Sequence, residues 1–309
     1  IYRERGCDAL IAVGGGSVID TAKGVNILVS EGSEDLMQFA GAERLKNPLG
    51  PLFVVPTTAG TGSEATVAAV IYNEAKGVKM LFTSYRLMPS ATFIDPRMTL
   101  TMPPRISAAT GMDALSHAVE AYTCLQKNPL SDAYATAAVR LISGNLLRAV
   151  ENGRDRRVRL AMANASTMAG IAFSNSMVGM VHSLGHATGG VAHVPHGEAM
   201  SIFLPEVLQY NMDRIEAEAS ELLFFLGGEE EVVRTPGEKR GQRTVELIRN
   251  LQEDLYQASG LPRTLSEAGV REDQLGRIAK TAVDDASITF NPEEMTYEDA
   301  LGVLRRVYA

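Results

Sequence analysis

The stretch Ala9-Leu10-Ile11-Ala12-Val13-Gly14-Gly15-Gly16-Ser17 decides the fold. Five apolar residues suit a buried strand, three glycines break it, and a helical pattern then runs from Val18 towards Val29. Strand, glycine turn and helix in that order form one unit of a parallel α/β sheet. Working outward, a second apolar run, Leu52–Val55, ends at Pro56 and the polar turn Thr57–Glu64. Val67–Tyr72 and Lys79–Thr83 flank Asn73-Glu74-Ala75-Lys76-Gly77 and predict a hairpin, and Thr92–Ile94 is one more short strand. Ile1–Gly6 reads as the tail of a helix stopped at a glycine. The sheet is therefore expected to have further N-terminal α/β elements, without which its edges and apolar faces would be uncovered.

Beyond Pro103-Pro104 strand-like runs stop and helical patterns take over. The expectation is an α/β part over residues 1–101 and an all-helical part over residues 102–309. Gly227–Gln242, rich in Gly, Glu, Arg and Lys, reads as an exposed connection. Thr296 with Asp299 forms a capping-box variant that starts the last helix.

Bulk properties exclude several classes. The chain has 309 residues, 45% hydrophobic and 21% charged, as in an ordinary globular protein. A net charge of −8 with no basic run makes nucleic acid a poor partner. Leu160–Gly197 lacks Asp, Glu, Lys and Arg, but asparagines, serines and glycines interrupt it. A membrane span needs about 20 predominantly apolar residues in a row, so this segment is expected to be buried helix in a soluble domain. Cys7 and Cys124 form no CxxC pair, which suits a cytoplasmic protein with reduced thiols.

All five histidines lie between positions 117 and 196. Asp113 and His117 are four apart in a helical pattern, so both project from one face, and His182 and His186 repeat that spacing. His193 and His196 follow across a turn. A single histidine is most often a satisfied core or surface group. Here four of the five share the window Leu160–Gly197, otherwise free of charge, where unpaired imidazoles are costly, and one Asp with neutral imidazoles suits a divalent transition metal.

Gly14, Gly15, Gly16 and Ser17 sit where a helix N-terminus favours a pyrophosphate, although a plain tight turn fits the same residues. Thr57, Thr58 and Thr61, with two glycines, offer hydroxyl and amide donors in the second loop. Asp20, three residues after Ser17, can cap and orient the loop.

The segments ATGMDALSHAVEAY and HSLGHATGGVAHVPHG resemble the two signature regions of the iron-containing alcohol dehydrogenases, and GGGS-x-x-D and PTTAGTGSE resemble that family's dinucleotide loops. The resemblance runs from about Asp8 to the final helix. It implies a dinucleotide-binding α/β domain, incomplete here, joined to an all-α metal-binding domain, a dehydroquinate synthase-like architecture. It implies Asp113, His117, His182 and His196 as ligands to Fe2+, with Zn2+ the alternative, and NAD(H) or NADP(H) as cofactor. It places His186 at the proton relay, Lys79 at the nicotinamide ribose and Phe173 in the substrate pocket. His193 is left as a structural or supporting group. The implied reaction is hydride transfer between a primary or secondary alcohol and the dinucleotide, run by a homodimer or larger homo-oligomer. Two other functions compete: a sugar-phosphate cyclase similar to dehydroquinate synthase, which needs a basic cluster absent around the histidines, and a non-catalytic metal-binding or assembly module.

Overall fold

The computed structural model describes residues 1–73 and 78–309, with the side chains of Val78 and Lys79 outside the described set. The tip of the expected hairpin, Glu74 to Gly77, therefore lies outside the described residues. Strand β1 (Leu10–Gly14) pairs in parallel with β3 (Leu52–Pro56), and β3 pairs in parallel with β6 (Ala91–Thr92). Between them, α1 (Gly16–Glu31) starts directly after the glycine turn and stops at Gly32, whose φ of 69° lets its amide reach back to the Leu28 carbonyl. Ile19, Lys23 and Ile27, spaced by four, form its buried stripe. A second sheet holds β2 (Gly41–Ala42), β5 (Val78–Thr83) and β4 (Ala68–Asn73), with β4 and β5 antiparallel as the hairpin spacing predicts.

Ten helices follow the same logic among the described residues. In chain order after α1 they are α2 (Pro104–Thr123), α3 (Pro129–Glu151), α4 (Arg156–Ser176), α5 (Met180–Ala192), α6 (His196–Gly227), α7 (Glu229–Arg234), α8 (Arg240–Ser259), α9 (Leu275–Val283) and α10 (Tyr297–Arg306). Helix α2 is buried almost all round and is packed by α3, α4 and α6, so it forms the axis of the helical part. The uncharged segment Leu160–Gly197 is the body of α4 and α5, much of it buried. Among the described residues no helix is long and apolar enough to cross a membrane. The Thr296–Asp299 capping box starts α10 as expected.

Ile1–Gly6 makes the hydrogen bonds of a helical turn stopped at a glycine: Arg5 N–H to the Ile1 carbonyl at 2.9 Å, Cys7 N–H to the Tyr2 carbonyl at 3.1 Å and Gly6 N–H to the Arg3 carbonyl at 3.3 Å, with Gly6 at φ 63°. Two local expectations need correction. Gly227–Gln242 is not a plain connection: three consecutive glutamates at the start of α7 favour a helix N-terminus, and α8 begins at Arg240. The β1 strand is buried on one face only. Leu10 and Ala12 pack with Ile19, Leu52 and Val54, whereas Ile11 and Val13 are exposed on the other.

Candidate active site

The site forms where the glycine and threonine loops meet the N-terminal ends of α5 and α6. Gly15 caps α1 without a side chain, so the first amides of α1 have no capping group from the protein. Close approach is built in: a Cβ on Gly16 would lie 2.7 Å from the Thr61 hydroxyl oxygen, and one on Gly15 would lie 3.1 Å from that of Thr58. Thr57 donates its amide to the Gly14 carbonyl at 2.9 Å, tying the two loops at their bases.

Asp20 and Lys23 hold this arrangement from below. Asp20 accepts from the Ser63 hydroxyl at 2.5 Å and the Val70 amide at 2.9 Å, so its observed task is to orient the second loop. The buried Lys23 ammonium donates at 2.8 Å to the carbonyls of Ser63, Thr66 and Ala68. Burial pushes Lys23 down to about 8, against the attraction of Asp20 and Glu64. Glu64 in turn accepts from Thr167 of α4 at 2.7 Å, and Gly62, at φ 63°, packs against Gly170. The dinucleotide-like loop is thus fastened to the helical part.

Asp113 and His117 come from α2, His182 and His186 from α5, and His196 opens α6. Donor atoms of Asp113, His182 and His196 converge within 4.8 Å of one another. The His117 ring stacks at 4.4 Å from Phe173 and lies 4.4 Å from the His182 ring, with its Nδ1 3.8 Å from Asp113 Oδ1. Asp113 Oδ1, His117 Nδ1, His182 Nε2 and His196 Nδ1 are all buried without a hydrogen-bond partner. His117 stands outside that convergent group, and His196 reaches Asp113 Oδ1 through Nε2 at 3.3 Å, with its Nδ1 the unpartnered atom. Buried donor atoms without partners are costly unless a cation satisfies them, so this residue set fits a divalent metal.

Electrostatics agree with that fit. Burial pushes the Asp113 carboxyl up, but the imidazoles of His117, His196 and His182 outweigh it and hold the group well below the usual carboxylate range. Burial drives His117 down to about 3 and His182 well below the usual imidazole range, so both are neutral. Neutral imidazole is the form that binds a metal.

Gly16, Ser17, Asp20 and Thr61 share an open cavity of about 410 Å³ with Asp113, His117, His182, His186, His196 and Phe173. Gly14, Gly15, Thr57 and Thr58 do not line it. Lys79 falls in β5, but its side chain lies outside the described residues. His193 is an exposed residue that ends α5 in the left-handed region, at φ 58°, and lines nothing in the cavity.

Three site residues escaped the sequence. Glu120 takes the His182 Nδ1 in a short hydrogen bond and accepts the Val181 amide at 2.7 Å. Burial pushes its carboxyl up to about 7, against the pull of those amides and His117. It continues the Asp113–His117 face by three residues, a signal that was present but unread. Asp285 lies 3.0 Å from His186 Nδ1, and Lys23 is buried beneath the loops. No local spacing links Asp285 to a histidine 99 residues earlier.

Comparison with known proteins places this geometry. Residues 107–308 match the Fe-containing alcohol dehydrogenase family, C-terminal, and residues 1–96 match the family described as iron-containing alcohol dehydrogenase. The chain is 37% identical over 308 residues to the 1,3-propanediol dehydrogenase of Klebsiella pneumoniae, covering all of this chain and 78% of the relative. It is 35% identical over 305 residues to the NAD-dependent methanol dehydrogenase of Bacillus methanolicus, covering 99% of this chain and 78% of that one. A crystal structure of a 1,3-propanediol oxidoreductase superposes with a TM-score of 0.94 at 36% identity, over 99% of this chain and 78% of the other.

Proposed function

Because the chain belongs to the iron-containing alcohol dehydrogenase family, we propose that Asp113, His117, His182 and His196 hold its metal and that the glycine and threonine loops hold its dinucleotide. The protein is an oxidoreductase that transfers hydride between an alcohol and NAD, with aldehyde or ketone reduction in reverse. The single observation that carries the ligand assignment is the set of four buried donor atoms with no partner. Iron is the native ion and NAD the preferred cofactor in this account, with zinc and NADP as the alternatives. When bound, the cation supplies Lewis acidity to an alcohol oxygen and the nicotinamide supplies a hydride acceptor.

The chain's own groups do the rest. Asp113 would contribute the one anionic ligand, and the imidazoles of His117, His182 and His196 would contribute lone pairs. Gly16 and Ser17 at the open N-terminus of α1, with Thr61 of the second loop, receive the pyrophosphate. His186 has its Nδ1 occupied by Asp285, which leaves Nε2 to take up and pass on the alcohol proton. Phe173, Met177, Val178 and Phe290 give the cavity an apolar wall that excludes water from the reacting carbon. Among the described lining residues there is no Lys or Arg, which favours an uncharged alcohol over a phosphate-bearing substrate and so disfavours the cyclase chemistry. Residues 1–101 form the dinucleotide part and 102–309 the metal and substrate part. We place the protein in the cytoplasm as a homodimer or larger assembly, a setting that suits the two free cysteines.

The test is an alcohol panel followed by NADH absorbance, on protein stripped of metal and resupplied separately with iron or zinc. Uncharged alcohols should be oxidised with NAD only after metal is restored. Full activity in the stripped protein would contradict the metal assignment.

A further inference from the structure

We infer that Glu120 is the positioning residue that makes His182 a metal ligand, by fixing its tautomer from the neighbouring helix. The inference rests on the ligand set proposed above and adds a residue to its machinery.

Helix α5 opens at Gly179, which has no side chain to cap it. Glu120 supplies the cap from α2. Its Oε1 accepts the Val181 amide at 2.7 Å, while Oε2 faces His182 Nδ1 in a short hydrogen bond. Asn291 completes the cap by accepting the Met180 amide at 3.1 Å. The fit leaves no room: a Cβ on Gly179 would lie 2.8 Å from Asn291 Oδ1 and 3.3 Å from Glu120 Oε1.

The chemistry follows from which ring nitrogen is committed. A carboxylate only accepts, so His182 donates from Nδ1–H and its lone pair sits on Nε2. Nε2 is the His182 atom that is buried without a partner, in the cluster with Asp113 and His196. Burial opposes the negative charge that this requires of Glu120, and the α5 N-terminus, through the Val181 amide, favours it. One carboxylate thus joins the two helices that carry Asp113, His117 and His182, and selects the nitrogen that points inward. Such supporting carboxylates commonly govern metal affinity as strongly as a weak ligand does.

Glu120→Gln separates the two tasks. Its amide oxygen keeps the cap, but its NH2 would face Nδ1 and demand a lone pair there, moving the ring proton to Nε2. Metal affinity, read by competition with a chromophoric chelator, should fall about 10- to 100-fold. The cobalt(II) form should change its visible spectrum, while the metal-free protein melts near the wild-type temperature. Asn291→Ala removes the other half of the cap without touching His182. It should lower the melting temperature of the metal-free protein and leave metal affinity close to wild type.

Undiminished affinity in Glu120→Gln overturns the inference, and so does an equal loss in Asn291→Ala, which would trace the effect to the cap. His182→Ala is the control: if it too keeps its metal, the ligand set itself fails. Nitrogen-15 NMR of the histidines in the zinc-loaded wild-type protein reads the same point without a variant. His182 should be protonated at Nδ1 and metal-bound at Nε2, and ligation through Nδ1 would refute the role of Glu120.

Discussion

His186 and Lys23 show how a side chain's task follows from what holds it. His186 is half-buried, its Nδ1 committed to Asp285, and its ring lies 5.4 Å from that of His196 and 5.8 Å from that of His182. His186→Ala should therefore keep its metal by elemental analysis and lose about 10²- to 10⁴-fold in turnover, the usual worth of a positioned acid or base. Loss of the metal in that variant would make His186 a ligand and displace one of the other three. Lys23 is fully buried, with its ammonium spent on three carbonyls and the Thr66 hydroxyl. Lys23→Met leaves those acceptors unmet and should destabilise the protein by about 2–4 kcal/mol. Its pH dependence has a definite sign. Burial lowers the folded-state value to about 8 from an ordinary 10.5, so between those values the unfolded chain binds more protons than the folded one. This group's contribution to stability is thus fully present above 10.5 and is lost as pH falls through 8. Urea titrations across that window should give the wild type a rising unfolding free energy relative to Lys23→Met, and parallel lines would contradict the account.

Some contacts between elements are made at glycines where backbones touch. Gly197 is the second residue of α6, and a Cβ there would lie 2.4 Å from the Ala109 carbonyl oxygen of α2, a backbone atom that cannot swing aside. Gly197→Ala should push the start of α6 off α2, carry His196 away from Asp113, and lower metal content together with melting temperature. Gly170 meets the second loop instead: its added Cβ would fall 2.7 Å from the Gly62 carbonyl oxygen. Gly170→Ala should raise the KM for NAD with metal content unchanged, and metal loss there would show that the loop and the metal helices are not separable. Element types were legible because their signals are local. The i,i+4 pairs predicted which residues of α2 and α5 share a face, and the turn-bounded apolar runs marked β1, β3 and the hairpin. The cap of α5 was not legible, because Glu120 and Asn291 reach it from 61 and 111 residues away.

On the scale of the whole molecule, five helices, two strands and the loops between them line one cavity, and the sequence reveals the participants better than their couplings. Both halves of the cavity were readable from motif composition, from GGGS at Gly14–Ser17 to the histidines at 182, 186 and 196. The fastening of Glu64 to Thr167, and of Gly62 to Gly170, depends on chain crossings that no spacing encodes. With the proposed ligands on α2, α5 and α6, a metal that binds only the folded state should stabilise all three together, by about 2.7 kcal/mol at a free concentration 100 times its Kd. Stripping the metal should accordingly lower the melting temperature in one cooperative step. The most direct test of the central claim is elemental analysis of anaerobically purified protein beside its Asp113→Asn, His117→Ala, His182→Ala and His196→Ala variants. The wild type should carry about one iron or zinc per chain, as a single four-ligand site demands, and each variant should lose most of it. Stoichiometric metal retained in the variants, or none in an active wild-type enzyme, would contradict the account.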